Sequence, residues 1–172
     1  MRHNKIIGWE RFLGFVEQVQ KVSPWLSRQI AKRASEWPFW YSGLHIKEWG
    51  ERQAWVRLPQ SFRTSIEGEI SHGHLGLGAE LALRLVLLRL RQEFPFSYRL
   101  RSSQSELHHR VDQAVDFKFS LRFEDWERVR LSLAKDSLAS AEFIVQAQLV
   151  DGRSAGRFAF QVAFELEKFL PA

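Results

Sequence analysis

An almost uninterrupted apolar segment, from Leu75 to Leu90, places the strongest constraint on how this chain folds. Its polar residues are Glu80, Arg84 and Arg89. Apolar residues on nearly every side predict a helix that other structure surrounds, rather than a helix lying on a surface. The segment is short for a membrane span, and charges near its centre would be costly in lipid. We therefore expect a buried helix and no membrane span.

A polar, glycine-rich stretch, Ile66 to Gly76, leads directly into this segment. The first turn of a helix leaves backbone N–H groups without intrahelical acceptors, at the positive end of the helix dipole. Such groups can hold a phosphate, a carboxylate or a developing oxyanion. The sequence therefore predicts a binding or catalytic site at the N-terminus of the apolar helix.

Length and composition favour a single globular domain and exclude cysteine-dependent chemistry. With 172 residues the chain can form one full core. It contains no cysteine, which excludes disulfides, zinc–thiolate sites and cysteine nucleophiles. The N-terminus lacks the apolar core of a signal peptide, so we expect a cytoplasmic protein. The net charge of +5 is spread among acidic residues, which does not favour nucleic acid as a partner.

The first part of the chain, residues 1–37, is predicted to be a helical extension. Ser23-Pro24 is typical of a helix start, and Trp37-Pro38 is typical of a helix end. Apolar residues at helical spacing precede Ser23; they are Trp9, Phe12, Leu13, Val16 and Val19. Residues 38–172 are predicted to form the main domain.

Alternating apolar and polar residues predict antiparallel strands in that domain. A first hairpin is expected around residues 48–52, ending before Pro59. Beyond the apolar helix, Tyr98 to His108 is a weakly patterned strand, whereas Val115 to Phe123 alternates clearly.

A short amphipathic helix over residues 124–134 precedes the strongest hairpin, whose turn contains Asp151-Gly152. Together these elements predict an α+β fold, with an antiparallel sheet of about five or six strands and one long helix inserted early.

The element order and the residues at the helix start resemble the hotdog fold, in which a curved sheet wraps around one long central helix. His72-Gly73 is similar to the His-Gly-Gly that opens the central helix in many hotdog acyl-CoA thioesterases. His74-Leu75-Gly76 partly matches a motif of a poorly characterised thioesterase-like branch, which also occurs as the C-terminal domain of some bacterial acetyltransferases. The resemblance extends from Phe39 to Phe169.

This resemblance implies hydrolysis of an acyl-CoA or acyl-carrier thioester, and it assigns roles to residues near the helix start. Amides around Gly73 to Gly76 would stabilise the oxyanion, with the glycines allowing close approach of the acyl group. The carboxylate would be Glu80, or else Glu67 or Glu69, with His72 or His74 orienting water or the carbonyl. Cationic candidates for binding a substrate phosphate are Arg63, Arg84 and Arg91. No metal site or cofactor is expected.

Other interpretations of the same residues remain open. Glu80 and Arg84 are spaced for an i,i+4 salt bridge, and Glu80 comes one residue earlier after His72 than the acid of the family enzymes. A non-catalytic module that binds an acyl ligand is therefore a second hypothesis.

A third hypothesis is a nucleic-acid-binding or regulatory protein. It would use basic residues of the N-terminal extension, namely Lys5, Lys21, Arg28, Lys32 and Arg33.

Because hotdog domains usually pair through their sheets, the resemblance also implies a homodimer or higher homo-oligomer, with Tyr98 to His108 as the contact strand.

Overall fold

The computed structural model describes residues 43–61 and 64–167. The predicted helical extension over residues 1–37 and Arg63 lie outside the described residues. The elements in chain order are β1 (His45–Trp49), β2 (Gln53–Leu58), β3 (Ser65–Ile66), β4 (Glu69–Ile70), α1 (His72–Glu93), β5 (Phe96–Leu107), β6 (Val115–Ser120), α2 (Phe123–Asp136), β7 (Leu138–Leu149) and β8 (Ser154–Leu166).

Six of the strands form one antiparallel sheet in the order β1-β2-β6-β7-β8-β5, and β3 and β4 form a separate hairpin. The predicted α+β class is confirmed, and the antiparallel sheet has six strands, within the predicted five or six. Both hairpins predicted from alternation are present, as β1–β2 and β7–β8. Among residues 43–61 and 64–167, β5 pairs with β8 alone and so forms one edge of the sheet.

Helix α1 has 22 residues and packs against β2, β6, β7 and β5. Its apolar residues are buried on most sides, as the composition of the segment predicts. Trp49 of β1 also approaches α1 and donates a hydrogen bond of 2.8 Å from its indole nitrogen to the carbonyl oxygen of Leu85. The helix is thus fixed by both apolar packing and a specific polar contact.

Phenylalanine rings fill the space between α1 and the inner face of the sheet. Phe117 contacts Phe158 with ring centroids 5.9 Å apart, and Phe143 contacts Phe164 at 6.0 Å. Both pairs have the edge-to-face geometry that aromatic rings favour. The phenylalanines of the described strands are therefore used largely in the core.

Strand β5 changes its alternation at a bulge between Leu100 and Ser102. Before the bulge, Tyr98 and Leu100 pair with inward-facing residues of β8, whereas after it Ser103 and Ser105 do so. The extra residue therefore moves the odd-numbered side chains to the inner face. Beyond the bulge the inner-face residues of β5 are exposed, so α1 leaves them uncovered.

Several details differ from the sequence prediction. Phe123 begins α2 rather than ending β6, because Arg122 adopts the extended N-cap conformation and the helix follows at once. Helix α1 begins at His72, so the predicted glycine-rich loop already contains the first turns of the helix. The preceding residues form the β3–β4 hairpin, whose turn residues Glu67 and Gly68 have φ of 53° and 84°.

Asp116 of β6, on the opposite face of the sheet, is a buried acid that is 6% exposed. Arg57 lies directly across from it on β2 and donates two hydrogen bonds of 2.7 Å to its carboxylate. Burial raises the pKa of Asp116, but the hydrogen bonds and charge of Arg57 and the charge of Lys118 lower it by more, so the net pKa is depressed. The pair therefore links neighbouring strands through an ionised carboxylate.

Within the described ranges, none of the helices has the length and apolarity needed to span a membrane.

Candidate site at the start of helix α1

The N-terminus of α1 is held in place by the segments on either side. The amide of Ile70 donates to the carbonyl oxygen of Val111 at 2.7 Å, and the amide of Ser71 donates to that of Thr64 at 2.8 Å. Ser71 then serves as the N-cap in an extended conformation, with φ −65° and ψ 145°. The position of the first helical turn is thus fixed by backbone hydrogen bonds.

The amides of His72 and Gly73 are the candidate oxyanion donors. His74 and Leu75 donate their amides to the carbonyl oxygen of Ser71, at 3.0 and 3.1 Å, and so begin the intrahelical pattern. The two preceding amides have no acceptor within the helix, by the geometry of any helix start. Of the amides from Gly73 to Gly76 that the sequence suggested as donors, that of Gly73 therefore remains a candidate, and the amide of His72 joins it.

Two glycines leave the backbone beside these amides bare. A Cβ atom added at Gly73 or at Gly76 would meet no other atom within 4 Å. Both glycines lie on the same side of α1 as Glu80, since residues seven and four positions apart share one helix face. The surface between the free amides and Glu80 is thus open to a ligand.

His72, the first residue of α1, lies beside this open surface and contacts two residues of the sheet. Its Nε2 atom is 2.9 Å from Oγ of Ser105 on β5. Its ring also lies against that of Phe158 on β8, with centroids 6.5 Å apart. The imidazole is therefore exposed but anchored.

His74 has a different environment, because its Nδ1 atom is 2.6 Å from Oγ of the N-cap residue Ser71. This contact joins the side chain of the N-cap residue to that of the third helical residue, and the Ser71 hydroxyl makes no hydrogen bond to the backbone amides of the first turn. The geometry supports a structural role at the helix start for His74.

Glu80 is paired with Arg84, as the i,i+4 spacing predicts. Nε of Arg84 donates to Oε1 of Glu80 at 2.6 Å, and both side chains are 32% exposed. The Arg84 guanidinium also lies 6.0 Å from the ring centre of Tyr98 on β5. Burial raises the pKa of Tyr98 despite the lowering effect of Arg84, so the phenol is neutral at physiological pH.

The other two candidate carboxylates lie on the β3–β4 hairpin. Glu67 is exposed at its turn. Glu69 forms an ion pair with the exposed guanidinium of Arg110. Of the three carboxylates, Glu80 alone shares the bare face of α1 with the glycines. Among the described residues, no group of three or more His, Asp or Glu side chains is arranged to hold a metal ion.

The structure brings His72, Gly73, Gly76 and Glu80 to one face at the start of α1. Sequence reasoning did not identify Ser105, which contacts His72 from a strand 33 positions away. No local signal could have revealed this contact, because the bulge in β5 decides which side of the sheet Ser105 occupies.

Neither a protein-family model nor a curated protein matches the sequence. Solved structures do match the fold. One is a probable thioesterase of unknown function from Pseudomonas aeruginosa, with a TM-score of 0.72, 15% identity, and coverage of 81% of this chain and 96% of that one. Another is a protein of unknown function from Chlorobaculum tepidum, with a TM-score of 0.68, 11% identity, and coverage of 79% and 92%.

A thioesterase from Haemophilus influenzae is also similar, with a TM-score of 0.62, 12% identity, and coverage of 83% of this chain and 94% of that one. At such identities the likeness concerns the fold. The described sheet and helix therefore have the same hotdog-type fold as these solved structures, which confirms the resemblance at the level of fold.

Proposed function

We propose that this protein hydrolyses a thioester of coenzyme A or of an acyl carrier at the start of α1. The observation that carries the proposal is the pair of amides at His72 and Gly73, next to helix backbone that Gly73 and Gly76 leave bare. The similar structures from P. aeruginosa and H. influenzae are named as thioesterases, which supports the same chemistry on this fold.

In the proposed reaction, water attacks the thioester carbonyl carbon, and the carbonyl oxygen takes on negative charge. The amides of His72 and Gly73 would stabilise that oxyanion by hydrogen bonds. Collapse of the tetrahedral intermediate breaks the carbon–sulfur bond and yields a carboxylic acid and a thiol. The proton lost by water is finally gained by the thiolate, so the products together contain the thioester plus one water.

Glu80 is the proposed general base that accepts the proton from water. It lies seven residues after Gly73, a rise of about 10 Å along the helix. At that separation, the helix-start amides and the Glu80 carboxylate of one chain are too far apart to act together on the same carbonyl group. We therefore propose a homodimer, formed along the open edge of β5, in which the groups that act on one thioester come from two chains.

Glycine replacement at the helix start tests the proposal. Gly73→Val and Gly76→Val would place branched side chains on the bare surface, so we expect turnover of acyl-CoA to fall by about a hundredfold, the scale of a small misplacement of reacting groups. Leu77→Val is the matched control, because it puts the same side chain on an adjacent exposed position of α1. Unchanged turnover in both glycine variants, with the fold intact by circular dichroism, would contradict the proposed site.

A second candidate function is acyl-ligand binding without turnover. The ion pair between Glu80 and Arg84 favours it, because the guanidinium of Arg84 already occupies Oε1 of the carboxylate that would have to accept a proton from water. This candidate predicts that acyl-CoA raises the melting temperature while no thiol is released.

A further inference from the structure

The ring of His72 rests on a single cross-strand pair. Ser105 of β5 and Phe158 of β8 are direct partners in the sheet register. His72 contacts both of them, through the 2.9 Å contact of Nε2 with Ser105 Oγ and through its ring with Phe158. Position and rotation of the imidazole are thus both set by the same pair of residues.

The strand around Ser105 is held firmly against β8. Glu106 and Arg157, the next cross-strand pair, form an ion pair of 2.6 Å on the opposite face. Gly156, opposite Leu107, permits close approach of the strands, since a Cβ there would collide with the backbone oxygen of Glu106. These contacts fix the Ser105 hydroxyl relative to the helix start.

We propose that Ser105 is a positioning residue for His72, an inference that rests on the proposed thioesterase function. A neutral imidazole has one N–H donor and one acceptor nitrogen, and the bond made by one nitrogen decides the state of the other. By engaging Nε2, Ser105 leaves Nδ1 as the nitrogen available to water or to the thioester oxygen. Ser105 itself does not touch the substrate.

The bulge between Leu100 and Ser102 is what makes this contact available. Without the extra residue, regular alternation from Tyr98 and Leu100 would put Ser105 on the opposite face of the sheet. The bulged strand therefore supplies the open surface with an anchored hydroxyl, in agreement with the frequent occurrence of bulges beside active sites.

Three variants test the inference. Ser105→Ala removes the hydroxyl, and Ser105→Thr retains it with a side chain suited to a strand. Ser103→Ala is the matched control, because Ser103 lies on the same face two residues earlier. We expect Ser105→Ala to lower kcat about fivefold, the scale of one lost hydrogen bond, with little change in KM. Ser105→Thr should restore the rate, and Ser103→Ala should leave it unchanged.

The decisive readout is the pair of ¹⁵N chemical shifts of the His72 ring, measured by NMR without substrate. Ser105→Ala should move both shifts toward those of a free imidazole that exchanges between tautomers, and Ser105→Thr should restore them. Unchanged ring shifts in Ser105→Ala would overturn the positioning role. Because this readout needs no substrate, a lack of thioesterase activity in the wild type would reject the proposed function separately.

Discussion

Gly78 of α1 lies so close to Phe117 of β6 that a Cβ atom at position 78 would meet the phenylalanine ring less than 2.5 Å away. The Phe117 ring in turn contacts Phe158, which contacts His72. This close contact between helix and sheet is thus connected to the candidate site through the rings of Phe117 and Phe158. Glycine at position 78 is required by packing, whereas the glycines nearer the helix start are not.

This contrast predicts opposite effects of two glycine-to-alanine changes. Gly78→Ala should lower the free energy of unfolding by about 1–3 kcal/mol, because the added methyl group overpacks the core. Gly76→Ala should raise it by about 0.5–1 kcal/mol, since alanine favours the helix and its Cβ meets no neighbour. Urea denaturation measures both, and equal stability of the two variants would contradict the packing shown by the structure.

Glu80→Gln tests the proposed base with almost no change of shape. Turnover should fall by about a hundredfold, the usual scale for a general base. The lost ion pair with Arg84 is partly exposed, so its contribution to stability is only about 0.5 kcal/mol. Glu67→Gln serves as the comparison, because Glu67 lies at an exposed turn. Full activity in both variants would show that neither carboxylate is the base.

The ion pair between Arg57 and Asp116 predicts a pH dependence of stability. The pKa of Asp116 is depressed in the folded protein, so the ionised carboxylate stabilises the fold above the ordinary aspartate pKa of about 3.9. This contribution is lost as the pH falls through the lower folded-state pKa. Asp116→Asn should therefore cost about 2 kcal/mol at pH 7 and progressively less below about pH 4.

Thermal unfolding of Asp116→Asn and wild type at several pH values shows whether the difference in their stabilities shrinks as the pH falls. Asp112→Asn provides the control, because Asp112 is exposed. A constant difference between Asp116→Asn and wild type from pH 7 to pH 3 would be inconsistent with an ionised Asp116 in the folded protein.

The open edge of β5 predicts association of two copies. The amide of His108 donates to Ala155 on the β8 side, so alternation directs the amides of residues 103, 105 and 107 outward, where a second chain can pair with them. Ser103→Pro removes one outward donor and should give a folded monomer, whereas Ser103→Ala should remain a dimer. Sedimentation at micromolar concentration checks both, and a monomeric wild type would remove the support for a shared site.

Sequence patterns were sufficient for the strands whose alternation is regular and for the apolar helix. They were weakest for β5, because the bulge between Leu100 and Ser102 reverses the alternation midway and makes the strand look irregular. The β3–β4 hairpin was also missed, since its Glu67-Gly68 turn lacks the Asn-Gly or Asp-Gly signal of such turns. The contact of His72 with Ser105 depends on sheet register, which a single sequence does not contain.

The measurement that tests the thioesterase proposal most directly is thiol release from a series of acyl-CoA substrates of increasing acyl length, with the purified full-length protein. We predict enzyme-dependent release from at least one substrate, reduced about a hundredfold in Glu80→Gln. Release no faster than the uncatalysed rate across the series, or equal release by Glu80→Gln and wild type, would contradict hydrolysis by the helix-start site with Glu80 as its base.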